Sequence, residues 1–555
     1  MSLFHSTIKS SDLVEGISKN KQQFKFYSDL AIQGTFELNS YNNSTKFITF
    51  QNCTFNSFCN ISGHLNCGIK FIDCSFDKSL FFKHILIDDF NIDGAPLYDS
   101  IHISHCTIKG DLTFFSENSI LKNIKIECST IVGLTLAGLY SSEGGIKFLN
   151  NKVEKSSYID NCKLLKNIHF ANSEFLGDVS MSDNTCSSII IRETTFNAAF
   201  AQFENILEQN ISLINSVFKG NTLINACCIK QLLSLNNSTF HNQFSICFYN
   251  PNYKTIKIGE IKNIELTSCS FLNGVLFSGG SKGSLFSDIK FIHIIASKKL
   301  TGEIVFDHLN INLLRIEGSN FDASFFFKRC LFTHIQFSRF TNFGSLHLIG
   351  SEALPNQNTE TIFKIIDSNI GKTNFSNFSF AKFKKIQIEN SDLTQITASN
   401  VTWFNQKQIS SPKIFYSNKL IVRLKSCVKN SVKNYEENDK LVKEFRQMRE
   451  LFRQLKYAMD QQGNRIQALV FKQYEMSFFR KELILTKKLW NFDRLILWLS
   501  CSNNHGQNWI KPLLILTLVG TPLFSLLLII AFNSGFSHFA DVVFEYKRVY
   551  PNLLN

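Results

Sequence analysis

Over residues 21–405 the chain alternates apolar and polar positions in short runs, each closed by a small or amide residue. The stretch FITFQNCTF, residues 47–55, is one such run followed by a polar kink, and FIDCSF, HISHCTI, LINSVF, SLNNSTF, ELTSCSF and RIEGSNF repeat the plan. In NIKIECSTI, residues 123–131, Ile124, Ile126 and Cys128 fall on one face while Lys125 and Glu127 fall on the other. A period of two residues predicts a strand that buries one side. Units this short cannot bury that side alone, so neighbouring units must stack.

Aligned on the small kink residue, the units fall at Cys53, Cys74, Cys106, Ser129, Cys162, Ser173, Thr194, Ser216, Ser238, Cys269, Ser319, Cys330, Ser368 and Ser391. Many spacings are 21 to 23 residues, and others are near 11 or 32. A period near 22 reads as one coil of a solenoid, and the other spacings as a half coil and one and a half coils. The predicted fold is mainly β, a parallel β-helix with Phe, Ile and Leu ladders inside. Residues 1–20 are expected to form a cap or tail and residues 21–405 the β-helix, with residues 406–434 as a linker.

Beyond Trp403 the period of two disappears. Leu441, Phe445, Met448, Phe452, Leu455 and Met459 recur at three- and four-residue steps, which predicts an amphipathic helix. QQGN, residues 461–464, breaks it with Gly463 at the C-terminal cap. A second helix carries Ile466, Leu469, Tyr474 and Phe478, giving a helical hairpin over residues 435–488. Residues 512–532 then carry no charge. That length of helix matches the bilayer hydrocarbon and predicts one transmembrane helix, followed by a tail over residues 533–555. Residues 489–511 read as a membrane-interface segment, with Trp490, Trp498, Trp509 and Lys511 as its interfacial anchors.

Charge sharpens this division. The chain carries a net +13, yet residues 1–404 hold 35 basic and 34 acidic residues while residues 405–511 hold 21 and 9. The basic excess therefore precedes the apolar tail, where anionic lipid is a better partner than nucleic acid. Fifteen cysteines, an odd number, with no signal-peptide pattern in MSLFHSTIKSSDL argue against a disulfide framework. The expected placement is a β-helix facing the cytoplasm on a single-pass membrane anchor. At the kinks Cys exchanges with Ser and Thr and is read as a small packing residue.

The units NCTFNSF, DCSFDKSLFF, NSVFKGNTLI and SCSFLNGVLF resemble degenerate pentapeptide repeats, a resemblance covering roughly residues 20–405. It implies a right-handed quadrilateral β-helix. The tail, with Gly463, Ala468, Glu475, Met476, Arg480, Gly506, Trp509 and Pro512 in order, is similar to the helical and membrane segment of bacterial pentapeptide-repeat membrane proteins. Some of those continue into a second span and a potassium-channel-like pore loop. This chain carries no threonine-valine-glycine-tyrosine-glycine filter.

Candidate chemistry is sparse. GGSKG, residues 279–283, has the form of a nucleophile elbow around Ser281, but strand-like SLFSDIKFIHII follows where a helix belongs. Cys53, Cys59, His64 and Cys67 form the best metal set, although only His64 and Cys67 have zinc-ligand spacing; packing of Cys53 and a surface position for Cys59 is the preferred reading. His102, His105 and Cys106 are a weaker set. GKT at 371–373 lacks the first glycine of a phosphate loop, and Asp88, Asp89 and Asp93 have no acidic partner at fixed spacing. No catalytic residue, metal or cofactor is predicted.

Three classes of function follow. The leading expectation is a non-enzymatic membrane-anchored scaffold or sensor whose solenoid binds a protein partner. A second is a membrane effector or ion-conducting protein gated by the solenoid, which would form a homo-oligomer. The third, by fold analogy, is a polysaccharide-acting or adhesive β-helix.

Overall fold

A coil of this protein is two copies of one eleven-residue unit. In the computed structural model a coil contains the strands Ile146–Leu149, Lys152–Val153, Ser157–Asp160 and Lys163–Leu164, and the next coil begins at Ile168. Each half is a four-residue strand, one left-handed residue, an inward corner residue and a two-residue strand. The left-handed residues mark the period: Asn150, Asn161, Asn172, Asp183, Glu193, Glu204, Asn215, Ala226 and Asn237 all have φ between 47° and 56°. Asn and Asp tolerate this conformation best, which explains why amides crowd the kinks.

The structure describes residues 6–19, 24–41, 47–65, 67–87, 101–120, 123–141, 144–248, 260–279, 287–354, 360–409, 431–486, 492–493, 496–497, 500 and 510–533. They divide into two compact units, Met1–Pro412 and Lys413–Asn555.

In the first unit every strand pairs in parallel with its counterpart one coil away, forming a solenoid of about 15 coils. Ile146 faces Ile168, which faces Ile189, which faces Ile211, so a coil takes 21 or 22 residues. The eleven-residue spacings are half coils, as the pattern of kinks implies. Spacings near 32 have a different origin: Ser75 pairs with Thr107 and Thr239 with Ser270, so each is a single coil lengthened by an insertion. Those insertions include residues 88–100 and 249–259, which lie outside the described residues.

The interior is filled by stacked side chains. Phe175, Phe196, Phe218, Phe240 and Phe271 occupy one inward position of five successive coils, with ring centroids 5.2, 4.9, 4.8 and 5.2 Å apart. The rings repeat at the inter-strand distance, so offset stacking comes with the register. Strict alternation fails at the corner. Ile124 and Ile126 are buried as expected, but Cys128 adopts φ +50° and is exposed, and Ser129 turns inward in its place. Likewise Asn320, not Ser319, is the buried residue of its corner.

The ends of a parallel stack leave unpaired strand edges. At the N-terminal end the helix Ser10–Lys19 buries Leu13 and Ile17 against the first coils. The buried Lys25 ammonium donates to the Ile17 carbonyl near the end of that helix, where a cation is favoured. At the other end Phe380 stacks on Trp403 at 5.1 Å, and the Gln408 amide donates to the carbonyls of Ala381 and Phe383 at 2.8 and 2.7 Å.

The second unit contains two packed helices, Ser431–Gln461 and Arg465–Thr486, separated by a turn in which Gly463 has φ +74°. They run antiparallel: Lys456 meets Glu475 near the turn, and Arg446 and Arg449 meet Glu482 farther from it. Phe452 stacks on Phe478 at 5.6 Å. The second helix buries Ala468, Phe471, Glu475, Phe478, Glu482 and Leu483. Ile466 and Leu469 point outward at 81% and 47% exposure, contrary to the expectation from apolar spacing. Two buried glutamates take places in the seam because the first helix supplies cations to them.

A further helix, Ile510–Asn533, is 24 residues long. Its longest unbroken run of described side chains is 516–530, short of the about 20 residues a span needs. On that basis no helix among the described residues is long and apolar enough to cross a membrane. Trp490, Trp498 and Trp509 lie outside the described residues, as does the side chain of Lys511.

Candidate interaction surface

The coil register sorts the outward residues into columns. On the side of the solenoid that contains Ile146–Leu149, the second residue of each four-residue strand points outward. Through successive coils this column reads Lys70, His102, Lys125, Lys147 and His169. The fourth strand residue forms a parallel column of Ile72, Ser104, Glu127, Leu149, Ala171 and then Arg192. Successive members of a column are one strand spacing, about 4.8 Å, apart. Five basic or titratable side chains thus stand in single file along about 19 Å.

Glu127 is the only acid in these two columns. It sits one coil on from His102, accepting from His102 Nε2 at 2.6 Å, and pairs with Lys125 Nζ at 2.9 Å. Burial alone would raise its pKa, but the hydrogen bonds from Lys125 and His102 outweigh that and hold the carboxyl below its usual range. The arrangement recurs higher on the same side: His293 Nε2 lies 2.9 Å from Glu317 Oε1, and Arg315 grips the other oxygen at 2.8 Å. Burial opposes ionisation of Glu317 too, and the bonds from His293 and Arg315 prevail. His169 lacks such an acid. Burial first, then the charges of Arg192 and Lys147, depress its pKa.

The corners explain the cysteines. The corner N–H points along the solenoid axis, and the side-chain oxygen of the next coil accepts from it: Cys106 N to Ser129 Oγ at 3.1 Å, Ser129 N to Asn151 Oδ1 at 2.9 Å, Asn151 N to Ser173 Oγ at 3.1 Å. Each hydroxyl also donates to the carbonyl two residues back, as from Ser129 to Glu127 at 2.8 Å. A thiol makes the same backward bond, from Cys106 to Ser104 at 3.2 Å and from Cys330 to Lys328 at 3.4 Å. On the opposite side of the coil Cys162, Asn184 and Asn205 play these parts. Alignment on Ser, Thr and Cys passes over Asn151, Asn184 and Asn205, although their place eleven residues from other corners is a readable signal.

These thiols are held in the protonated form. Burial pushes Cys162, Cys186, Cys227, Cys269 and Cys330 up to about 12. Among the expected metal residues, Cys53 and Cys67 are buried, and so is Cys59, which faces the core rather than the surface. Cys59 opens a strand in register with Phe36 and Leu80, both core positions, so it turns inward with them. The side chain of His64 lies outside the described residues. No group of three or more metal-ligating side chains gathers among the described residues.

The other candidates separate similarly. His105 is a left-handed corner residue with φ +55°, bonded to Ser104 at 2.7 Å, while Cys106 faces the core. Gly371 has φ +51° and Thr373 donates to the Ile370 carbonyl at 2.5 Å, so this glycine-lysine-threonine sequence forms a structural turn. Ser281, Asp88, Asp89 and Asp93 lie outside the described residues.

Sequence reading missed the basic column because its members are 22 to 32 residues apart. Lys70, His102, Lys125 and His169 each stand four residues before an aligned kink residue, so the same alignment read four positions earlier would have exposed it. Compared with protein-family models, curated proteins and solved structures, the chain matches none.

Proposed function

We propose that this protein is a non-enzymatic, membrane-anchored scaffold or sensor whose solenoid binds a protein partner along an outward face. The observation that carries the anchor is the helix Ile510–Asn533. Leu513, Leu514, Leu516, Leu518, Val519, Leu523, Phe524, Leu526, Leu527, Ile529 and Ile530 are 47–72% exposed and are distributed around its circumference. An apolar surface on every side of a helix is stable in lipid or against other helices, not in water. Counted over all 24 residues the helix is about 36 Å long, enough for the bilayer core.

The solenoid supports the scaffold half of the reading. Its interior is filled with side chains, its N-terminal end is capped, and its outer surface presents fixed columns of side chains. Such a surface is a repeated, rigid template for a partner.

The test of the anchor is flotation of the full chain with phospholipid vesicles under alkaline wash. The native chain should float and Leu518→Arg/Leu527→Arg should not. Equal behaviour of the two would remove the membrane from this account.

One observation favours the effector reading as a second choice. Thr517, Thr521 and Ser525 are spaced one helical turn apart, and each hydroxyl bonds to a carbonyl one turn back. They make a polar stripe on an otherwise apolar helix, a feature that associating spans share. Ion leakage from vesicles carrying the native chain, abolished by Leu527→Arg, would raise this reading above the scaffold.

A further inference from the structure

We infer that the column of Lys70, His102, Lys125, Lys147 and His169 is a docking strip for an extended segment of a partner protein, one that alternates acidic with apolar side chains. This deepens the scaffold reading and rests on it.

The first argument is charge. Residues 1–404 are almost neutral, with 35 basic and 34 acidic residues, so five successive cationic or titratable positions are a local concentration. In-register pairing puts His102 beside Lys70 and Lys125, Lys125 beside Lys147, and Lys147 beside His169. Like charges opposed across strands destabilise a sheet. A ligand bearing negative charge along the same line relieves that repulsion.

The second argument is what stands beside the charges. The adjacent outward column offers Ile72, Leu149 and Ala171, and Ile190 follows His169 in the basic column itself. A strip with cations on one line and aliphatic side chains on the next matches a polypeptide that presents acids and apolar groups together. About 19 Å of strip accommodates about six extended residues, of which about three point at the sheet. Lys70, Lys125 and Lys147 supply three permanent cations for them, on stems long enough to absorb the difference in repeat.

The same features disfavour other polyanions. Single-stranded nucleic acid is held by aromatic platforms as well as cations, and neither column contains an aromatic residue over these coils. A lipid surface calls for cations spread in two dimensions, and here they stand in one file. A sulfated glycan has no use for the aliphatic column.

The experiment uses the full chain in detergent micelles and measures fluorescence anisotropy of a labelled short peptide alternating glutamate with leucine. Binding should weaken on the order of tenfold in Lys125→Gln/Lys147→Gln, and should fall with added salt. Lys152→Gln/Lys163→Gln, on other columns, should bind as the native chain does. Unchanged circular dichroism in both variants keeps folding out of the comparison. Equal binding of the glutamine version of the peptide, or tighter binding of heparin or of single-stranded DNA, would overturn the proposed ligand. Absence of binding by a folded chain that still floats with vesicles would overturn the strip and leave the anchor reading intact.

Discussion

Asn184 and Asn205 occupy the same inward corner of successive coils, and the Asn184 amide donates to Asn205 Oδ1 at 3.0 Å. Asn184 also accepts from Cys162 N at 3.0 Å and donates to the Ile159 carbonyl at 2.8 Å. One buried side chain thus joins three coils.

Asn184→Leu should therefore destabilise the solenoid far more than its size suggests. It strands buried backbone groups of two coils, each costing about 1–3 kcal/mol. Asn184→Ser retains an acceptor of the kind used at Ser129 and Ser173 and should lose less. Urea denaturation of the three proteins, followed by circular dichroism, checks the order.

The central ring of the phenylalanine stack gives a second prediction. Phe218 lies 4.9 Å from Phe196 and 4.8 Å from Phe240, fully buried. Phe218→Ala should cost about 3–5 kcal/mol through lost burial and the cavity left between coils. Phe218→Leu keeps most of the volume and should cost less. Solenoid denaturation need not be two-state, so the readout is the first unfolding transition on heating.

Cys128 tests the corner rule. It holds a left-handed φ that Asn favours, and Asn150 Nδ2 approaches its sulfur at 3.8 Å from the next coil. At the equivalent place Asn237 donates to Asn215 at 2.8 Å. Cys128→Asn should raise stability by about 0.5–1 kcal/mol. In a Cys427→Ser/Cys501→Ser background, native thiol labelling followed by peptide mapping should modify Cys128 fastest. Rapid labelling of Cys162 or Cys330 would contradict the packing of the corners.

Acid should weaken the solenoid in two stages. The depressed pKa of His169 means the unfolded chain takes up a proton first, so stability falls as the pH drops below the ordinary histidine value of about 6.5. Glu127 is also depressed in the fold, so its contribution is present above the ordinary glutamate value of about 4.3 and is lost as the pH falls through the folded value. His169→Gln should flatten only the upper stage and Glu127→Gln only the lower one. Denaturation midpoints measured across pH 3 to 8 separate them.

Much of the architecture was readable in the sequence because burial writes a period of two into strands such as Ile124–Glu127 and a period near 22 into the chain. Three things hid the rest. The left-handed residue shifts the alternation by one position, which sent Cys128 outward and Ser129 inward. Insertions lengthen single coils, so 32 residues between Cys74 and Cys106 imitated one and a half turns. Buried ion pairs replaced Ile466 and Leu469 with Glu475 and Glu482 in the hairpin seam, a substitution that depends on cations from the other helix. The basic column needs the register itself, since its members meet only across coils.

The central claim, a scaffold that engages a protein partner on the basic side of the solenoid, is tested most directly by site-specific photo-crosslinking in membranes. A photoreactive residue at Ile72 or Leu149 is compared with one at Tyr158 or Lys219 on other columns. The account predicts a discrete protein adduct from Ile72 and Leu149 alone, with acidic residues in the crosslinked peptide. Adducts only to lipid or glycan, or protein adducts only from Tyr158 or Lys219, would contradict it.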